Sequence, residues 1–359
     1  MLVLSLHLEN FRNYELADIE FGGGLTAIVG ENGHGKSNLI EAVGWLSGMG
    51  SFRGVSDDAL IRLGAESAVI RATVNSDDDR EQLVEAELPR VGRNRVQVNR
   101  QRVQRRRDLL GVVQVTVFSP DDLSLVKGGP ALRRRWIDDA LVSRHLRHDA
   151  LRSDLDRVLK QRNALLRSSG GRLDADAEYT LDVWDSKLAE VGESLRNERV
   201  DLLDAIRPNL RDSYDRVAQR SAEIGVDYVS SWNGELSEAL ASSRQIDLRR
   251  GVSTVGPHRD EIELSIGGVP ARTHASQGEQ RSLALAMRLA VDAVGREIGR
   301  SPVLLLDDVF SELDPGRAKA LLNALPPAQR LLTAASGLPP GATPDHVIRV
   351  DRGTIRVES

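Results

Sequence analysis

The chain has 359 residues, of which 40% are hydrophobic and 28% are charged, and its formal net charge is −5 at pH 7. This length allows about two or three compact domains, and the absence of cysteine excludes disulfides, thiolate chemistry and cysteine-based zinc sites. The net charge argues against indiscriminate coating of nucleic acid. Since the chain has neither a secretory signal nor the run of about 18 apolar residues of a membrane helix, we expect a soluble, cytoplasmic protein without a membrane partner.

The first part of the chain predicts short β-strands. Apolar runs indicate strands at 2–8, 16–21 and 25–29, and the last of these leads through a glycine-rich loop into a helix over 37–46. Alternating runs then predict an antiparallel sheet packed beside this core. We expect its strands at 68–74, 83–88, 95–98 and 112–118, with a polar turn at Asp77, Asp78 and Asp79.

The middle of the chain has helical spacing. A helix is predicted from residue 132 to about 168, and a second from 179 to about 218 with interruptions at Gly192 and Pro208. Because no clean heptad repeat is sustained, an antiparallel pair in a helical lobe is favoured over a long coiled coil. Short strands and helices follow from 223, ending in a strand at 330–334 and a terminal hairpin.

A phosphate-binding loop follows the third predicted strand. The octet matches G-x-x-x-x-G-K-[ST] without a mismatch, and its members are Gly30, Glu31, Asn32, Gly33, His34, Gly35, Lys36 and Ser37. Its glycines let backbone N–H groups turn toward phosphate oxygens, while Lys36 is predicted to reach the β and γ phosphates and Ser37 to coordinate Mg²⁺. The helix that begins here directs its positive end to the same phosphates. The motif predicts an ATP site.

A second element of this chemistry lies about 270 residues later in the chain. The apolar run 303–306 is followed by two carboxylates, of which Asp307 is predicted to hold Mg²⁺ and Asp308 to polarise the attacking water. Apolar strands often end in aspartate, so this motif is weak alone. It becomes informative because it accompanies a complete phosphate loop and is followed directly by Ser311, Glu312, Leu313 and Asp314.

A third motif, Ser276-Gln277-Gly278-Glu279-Gln280, indicates the N-terminal end of a helix over 278–298, with Ser276 as its cap. Such a helix end, with a glycine that allows close approach, is a further anion site. One triphosphate does not need two such sites on one chain. We therefore predict that Ser276, Gln277 and Gly278 contact the γ-phosphate bound by a second copy, so that the protein dimerises on ATP. The alternative is an ordinary cap without a ligand.

These residues resemble the ATPase heads of the ABC type found in SMC and Rad50 relatives, and most closely the RecF family of bacterial recombination mediators. Besides the phosphate loop and the segment 305–314, the resemblance rests on Asn10-Phe11-Arg12-Asn13-Tyr14, on 120–138 and on Gly256-Pro257-His258-Arg259-Asp260. These segments are spread over nearly the whole chain in family order.

The resemblance implies an α/β fold of the ABC-type P-loop ATPase head, a mixed sheet with helices, an antiparallel β subdomain and an inserted helical lobe. The expected parts are 1–130, with the phosphate loop and β subdomain, the helical lobe 131–250, and 251–359, with the signature loop and the Mg²⁺ strand. It further implies an ATP-dependent homodimer that binds DNA and acts with RecR and RecO to load RecA, and it adds Arg12 to the nucleotide site.

Three departures from the ABC pattern limit what the resemblance implies about hydrolysis. Asp308 stands where SMC-like heads carry glutamate, no glutamine near Pro120 can be assigned to the Q-loop, and 331–336 contains no switch histidine. Because the shorter carboxylate holds the attacking water less closely, we predict a weak ATPase that works as a switch. The resemblance implies that its activity depends on DNA.

The region 90–107 contains eight arginines and no acidic residue. Guanidinium groups suit phosphates and contact them largely independently of sequence. The candidate DNA contacts are Arg93, Arg95, Arg102, Arg105, Arg106 and Arg107. With only 4% aromatic residues, base stacking is expected to be minor, so duplex, gapped or junction DNA is favoured and single-stranded DNA stays an alternative. The other interpretation is a charged edge ribbon that prevents aggregation.

The histidines do not indicate catalysis or a metal site. His258 is expected in a turn near nucleotide or DNA, without an assigned role, and His145 and His148 lack metal-ligand spacing and are expected at the surface.

Two other functions are alternatives to an ATP-gated DNA-binding dimer. The ATPase subunit of a transporter would require a switch histidine, and a structural SMC or Rad50 protein would require longer coiled-coil arms than this insertion provides.

Overall fold

The structure, a computed structural model, describes residues 1–76, 80–104, 106–335 and 337–358. The predicted turn at Asp77, Asp78 and Asp79 lies outside these residues. The strands, in chain order, are β1 (Leu2–Phe11), β2 (Tyr14–Glu20), β3 (Leu25–Val29), β4 (Ser67–Asn75), β5 (Glu81–Pro89), β6 (Arg95–Val98), β7 (Gln101–Val103), β8 (Val115–Phe118), β9 (Ile224–Val229), β10 (Glu261–Ile266), β11 (Val269–Pro270), β12 (Val303–Leu306), β13 (Arg330–Ala334), β14 (His346–Asp351) and β15 (Thr354–Glu358).

The α-helices are α1 (Lys36–Gly44), α2 (Leu123–Lys127), α3 (Pro130–Arg144), α4 (Arg147–Ser168), α5 (Ala175–Ala218), α6 (Leu236–Arg250), α7 (Ala271–His274), α8 (Gln277–Glu297) and α9 (Pro315–Ala324). A π-helical turn, Trp45–Met49, continues α1, and 3-10 turns lie at Asp57–Leu60, Arg106–Leu109 and Pro120–Asp122. Among the described residues, no helix combines the length and the apolar character needed to cross a membrane.

Contacts between residues divide the chain into two compact units. The first comprises 1–123, 212–221 and 281–359, and the second comprises 124–211 and 222–280. Both are therefore assembled from segments that are separated in sequence. The three-part division at 130 and 250 stays a prediction.

The first unit contains two sheets. In the antiparallel sheet the described strands follow the order β2-β1-β4-β5-β6-β7, and in the mixed sheet they follow the order β15-β14-β3-β13-β12-β8. In the mixed sheet, β14, β3, β13, β12 and β8 pair in parallel, and β15 pairs antiparallel with β14. The expected α/β class, with a mixed sheet beside an antiparallel β subdomain, is confirmed.

The apolar run of β12 is explained by burial on both faces of the mixed sheet. Val303 and Leu305 join the core shared with α1 and the antiparallel sheet, whereas Leu304 and Leu306 join a second core with Leu285 of α8. Because successive side chains of a strand point to opposite faces, a strand between two cores must be apolar at every position. The carboxylates can begin only where the strand ends, at Asp307.

One strand prediction was wrong in its sheet. The run 112–118 was expected in the antiparallel sheet, but β8 pairs in parallel with β12, with Val115 opposite Val303 and Phe118 opposite Leu306. A short apolar run looks the same in both kinds of sheet. The partner strand β12 lies far along the chain, so the run itself carries no sign of its pairing.

The second unit contains the helical lobe and a three-stranded sheet of described strands in the order β11-β10-β9. The helix predicted over 132–168 is divided, because His145 adopts an extended conformation between α3 and α4. The predicted interruptions at Gly192 and Pro208 were also wrong, since α5 runs through both for 44 residues. At Gly192 a Cβ would lie 2.5 Å from Leu236, so the glycine permits close packing rather than a break.

The expectation that His148 lies at the surface was wrong as well. Its side chain is buried, with Nδ1 2.8 Å from the Leu141 carbonyl oxygen and Nε2 3.1 Å from Glu198. The ring thus joins α4 to the end of α3 and to α5. A lone histidine in a helical pattern carries no sequence signal for such a position.

Candidate functional site

The glycine-rich loop lies at the carboxyl end of β3 and leads directly into α1. Gly30, Gly33 and Gly35 all have positive φ, at 156°, 81° and 112°. A Cβ at Gly30 would lie 2.2 Å from the Val350 carbonyl oxygen, and one at Gly35 would lie 2.5 Å from the Asn13 amide. Since L-residues rarely adopt this conformation and a Cβ has no room at Gly30 or Gly35, glycine is required at these two positions.

Two residues of the β1–β2 turn hold this loop. The Asn13 side chain donates to the His34 carbonyl oxygen at 2.8 Å, and the buried Tyr14 hydroxyl donates to the Gly35 carbonyl oxygen at 3.0 Å. Asn38 in turn donates to Asn13 at 2.8 Å. In the sequence, Asn13 and Tyr14 stand out only as part of a family resemblance. Their position immediately before a predicted strand was the one signal that could have suggested this role.

Lys36 begins α1 and points back into the loop. Its Nζ donates to the Glu31 carbonyl oxygen at 2.8 Å, and its side chain is almost fully buried. Burial lowers the pKa of Lys36, while the carboxylates of Asp308 and Asp307 act in the opposite direction. The three predicted catalytic side chains are therefore close enough to influence one another electrostatically. The remaining loop residues, Glu31 and Asn32, are exposed.

The structure brings Ser37 and Asp307 together across 270 residues of sequence. The Ser37 hydroxyl donates to Asp307 Oδ1 at 2.6 Å. The Thr333 hydroxyl donates to the same oxygen at 2.9 Å and accepts the Asp308 backbone N–H at 2.8 Å. Burial raises the pKa of Asp307, and the two hydroxyl donors oppose that rise. Sequence reasoning missed Thr333, because strand residue types do not show which side chain faces a carboxylate.

Ser37 and Asp307 are the oxygen donors that a metal ion would meet beside the loop. Within the described ranges, no group of three or more His, Asp or Glu side chains is placed to hold a metal ion. Mg²⁺ at phosphate-binding sites is held by one or two carboxylates together with the phosphates, and it is seldom enclosed by protein alone. One carboxylate, Asp307, beside one hydroxyl, Ser37, at a phosphate loop therefore fits nucleotide-bound Mg²⁺.

Arg12 lies beside the loop and is engaged by a buried acid. Its guanidinium donates two bonds of 2.9 Å to the carboxylate of Glu41 in α1 and one of 3.0 Å to the Ala59 carbonyl oxygen. The Glu41 side chain is fully buried and also accepts from Ser51 at 2.5 Å. In this arrangement Arg12 ties the β1–β2 turn to the helix that carries the loop.

The signature motif, Ser276-Gln277-Gly278-Glu279-Gln280, forms a capped helix end in the second unit. The Ser276 backbone N–H donates to the Glu279 carboxylate at 2.8 Å, and the Glu279 N–H donates to the Ser276 hydroxyl at 3.3 Å. This reciprocal capping box confirms the predicted cap. α8 begins at Gln277, one residue before the predicted start. Gln280 is buried and donates to the carbonyl oxygens of Ala271 and Arg272, so it holds the preceding loop in place.

The loop after Asp308 is anchored to α8 within the first unit. Arg281 donates to the Glu312 carbonyl oxygen at 2.7 Å and to its carboxylate at 2.5 Å. About two turns further along α8, Arg288 donates twice to Asp122, at 2.9 and 2.7 Å. The first contact holds the loop that follows Asp308 against α8, and the second holds the 3-10 turn at Pro120–Asp122 against the same helix.

The candidate DNA arginines lie on and around the β6–β7 hairpin. Arg93, Arg95 and Arg102 are exposed, and Arg95 is paired with Glu87 at 3.0 Å. Arg105 lies outside the described residues, and Arg106 begins a 3-10 turn. Arg107 lies in the same turn. The exposed arginines could meet a phosphate backbone, and they could equally protect the edge strand β7.

The segment around His258 forms the predicted turn. Gly256 has a φ of 125°, and both His258 and Arg259 contact the Ser253 carbonyl oxygen, at 3.1 Å and 3.0 Å. Burial lowers the pKa of His258. Asp260 accepts from the Tyr228 hydroxyl and from the Ser231 backbone N–H. The residues thus stabilise one another, and no described contact gives His258 a catalytic partner.

The chain is similar to known proteins in both sequence and fold. Residues 2–331 match the family described as the RecF/RecN/SMC N terminal domain. The chain is 44% identical over 353 residues to the DNA replication and repair protein RecF of Streptomyces avermitilis, which covers 94% of each chain. It is 42% identical over 354 residues to RecF of Frankia alni, which covers 94% of this chain and 93% of that one.

Solved structures agree. The recombination mediator protein RecF with ATP, from the RecFOR pathway, has a TM-score of 0.91 and 29% identity over 99% of this chain and 97% of that chain. The Smc head bound to the C-winged helix domain of ScpA has a TM-score of 0.61 and 19% identity over 100% and 97% of the two chains. The second likeness concerns the fold alone.

Proposed function

Because this chain belongs to the RecF/RecN/SMC N-terminal domain family and, within it, to the RecF proteins of DNA replication and repair, we propose that it is an ATP-gated DNA-binding dimer with weak ATPase activity. The observation that carries this proposal is the bond of 2.6 Å between the Ser37 hydroxyl and Asp307. It joins the phosphate loop to the carboxylate that a Mg²⁺-nucleotide site requires. A related RecF was solved with ATP, which supports ATP as the nucleotide.

The residues of this chain divide the work at the nucleotide. Backbone N–H groups of the glycine loop and the N-terminal end of α1 would bind the phosphates, and Lys36 would leave the Glu31 carbonyl to contact the terminal phosphate. Mg²⁺ supplies neutralisation of phosphate charge when it is bound, and Ser37 and Asp307 are the residues that would hold it. Asp308 would accept a proton from the attacking water.

Slow turnover is expected because Asp308 is one methylene shorter than the glutamate of SMC-like heads. A base that reaches the water less closely contributes less of the factor of about 10²–10⁴ that general bases supply. Such an enzyme holds ATP long enough for the bound state to act as a signal. We propose that hydrolysis ends the DNA-bound state rather than driving mechanical work.

Dimerisation would complete the site. The capped helix end is exposed at Ser276 and Gln277 and half-buried at Gly278, and the N-terminal end of a helix favours anions. We propose that it binds the γ-phosphate held by a second copy. DNA would then be held by exposed arginines such as Arg93 and Arg102, through backbone phosphates of duplex, gapped or junction DNA. RecR, RecO and RecA are the proposed partners, in the cytoplasm.

Sedimentation with and without ATP tests this proposal, and mixed variants test its geometry. Lys36→Arg disables the phosphate loop and Ser276→Arg disables the helix end, so either variant alone should neither dimerise on ATP nor turn it over. If the helix end acts across the dimer, a mixture of the two variants contains one intact composite site and regains part of the turnover.

The mixture also discriminates between alternatives. If both elements served the same chain, each subunit of the mixture would keep its own defect and turnover would stay absent. Each variant mixed with fresh copies of itself is the matched control. A wild-type protein that stays monomeric with ATP would contradict the whole proposal.

A further inference from the structure

We propose that Thr333 is a positioning residue that holds Asp307 and Asp308 in their working geometry through one buried hydroxyl. This inference rests on the proposed ATP hydrolysis and deepens it. Thr333 lies at the end of β13, in the segment in which the sequence contains no switch histidine. No motif of the sequence marks it.

The strand order places this residue between the two halves of the site. β13 lies between β3, which leads into the phosphate loop, and β12, which leads into Asp307. Leu332 is opposite Leu306 in the parallel register, so the residues that follow them, Thr333 and Asp307, are neighbours at the carboxyl ends of the two strands. The Thr333 side chain consequently faces the Asp307 carboxylate.

Both hydrogen-bonding functions of the Thr333 hydroxyl are used within the site. Its hydrogen goes to Asp307 Oδ1 at 2.9 Å, and its oxygen accepts the Asp308 N–H at 2.8 Å. The side chain is 1% exposed, so water cannot replace it. A hydroxyl that bridges a side-chain carboxylate and the next residue's backbone couples the two in orientation.

The backbone of Asp308 explains why an anchor is needed. Its φ is 48°, a left-handed conformation that non-glycine residues rarely adopt. The bond from its N–H to Thr333 supports that conformation and thereby directs the Asp308 side chain. Ser37 hydrogen-bonds to Asp307, whereas Thr333 hydrogen-bonds to the side chain of Asp307 and to the backbone of Asp308.

Two substitutions separate the hydroxyl from the rest of the side chain. Thr333→Val keeps the volume and removes the hydroxyl, whereas Thr333→Ser keeps the hydroxyl and removes a methyl group. We expect Thr333→Val to lower kcat about tenfold and to keep KM for ATP within about twofold of wild type. The reason is that Asp308 loses its fixed orientation while the contacts to the phosphates remain. Thr333→Ser should stay within about threefold of wild-type kcat.

A second readout needs no nucleotide. Hydrogen exchange of the peptide that contains Asp308 should be about tenfold faster in Thr333→Val than in wild type and unchanged in Thr333→Ser, because only the first variant frees the Asp308 N–H. Thr333→Ala serves as the second hydroxyl-free variant if valine prevents folding.

The outcomes separate this inference from the proposed function. Wild-type protein that does not hydrolyse ATP refutes the hydrolytic switch, while the exchange experiment still tests the hydrogen bond. The role of the hydroxyl is overturned if Thr333→Val or Thr333→Ala turns ATP over as fast as wild type. It is also overturned if the serine and valine variants lose kcat equally.

Discussion

Replacing Arg12 with methionine should destabilise the first unit strongly, because it leaves a buried carboxylate without its cation. Glu41 has a fully buried side chain, and Arg12 provides both of its charge-assisted bonds, each 2.9 Å long. Breaking such a buried pair from one side costs about 3–5 kcal/mol. This is a large share of the roughly 5–15 kcal/mol by which a typical domain is stable.

Arg53 is the matched control, because it approaches the same carboxylate from solvent. Its Nη1 lies 3.8 Å from Glu41, and 43% of its side chain is exposed. An exposed pair of this kind contributes less than about 1 kcal/mol. The contrast between Arg12→Met and Arg53→Met therefore measures the effect of burial at one acceptor. The double variant Arg12→Met, Glu41→Leu should recover most of the loss, because no charge then remains buried.

Urea unfolding of the four proteins, with ATP binding measured in parallel, is the assay. The free energy of unfolding of Arg12→Met should fall several-fold further than that of Arg53→Met. Its ATP affinity should also fall, because Arg12 immediately precedes Asn13, which donates to the phosphate loop. Equal stabilities of the Arg12 and Arg53 variants, or a double variant no better than Arg12→Met alone, would refute the reasoning.

Two further predictions concern the loop and the outer face of the antiparallel sheet. Gly35→Ala places a Cβ 2.5 Å from a neighbouring asparagine amide, whereas the Cβ of Gly33→Ala meets no atom within 4 Å. Both variants strain a backbone with positive φ, so Gly35→Ala should weaken ATP binding, measured by calorimetry, more than Gly33→Ala does. Equal losses of affinity would contradict the packing argument. Burial lowers the pKa of His7, but bonds to Asp18 and Glu9 outweigh it and raise the pKa above its ordinary value. The contribution of His7 to stability is then fully present below about pH 6.5 and is lost as the pH rises through the folded-state pKa. Urea unfolding across this range should show that loss in wild type and not in His7→Gln.

The functional motifs could be predicted from sequence because each is local. A loop whose glycines need positive φ, a strand that must be apolar until its last residue, and a serine followed three residues later by glutamate are all written in consecutive residues. Such patterns report what one segment requires of its own backbone. They therefore pointed to Lys36, Ser37 and Asp307 as candidates, and the structure joins Ser37 to Asp307.

Contacts between distant segments needed the tertiary structure. Thr333, Asn13 and Tyr14 are ordinary strand and turn residues in the sequence, and their roles arise from which strand lies beside which. The same limit explains the strand β8, assigned to the wrong sheet, and the buried His148. The backbone conformation of the three motifs follows from adjacent residues and could be inferred from them. Strand pairing and side-chain contacts depend instead on the packing of segments as far apart as Ser37 and Asp307, which only the folded chain brings together.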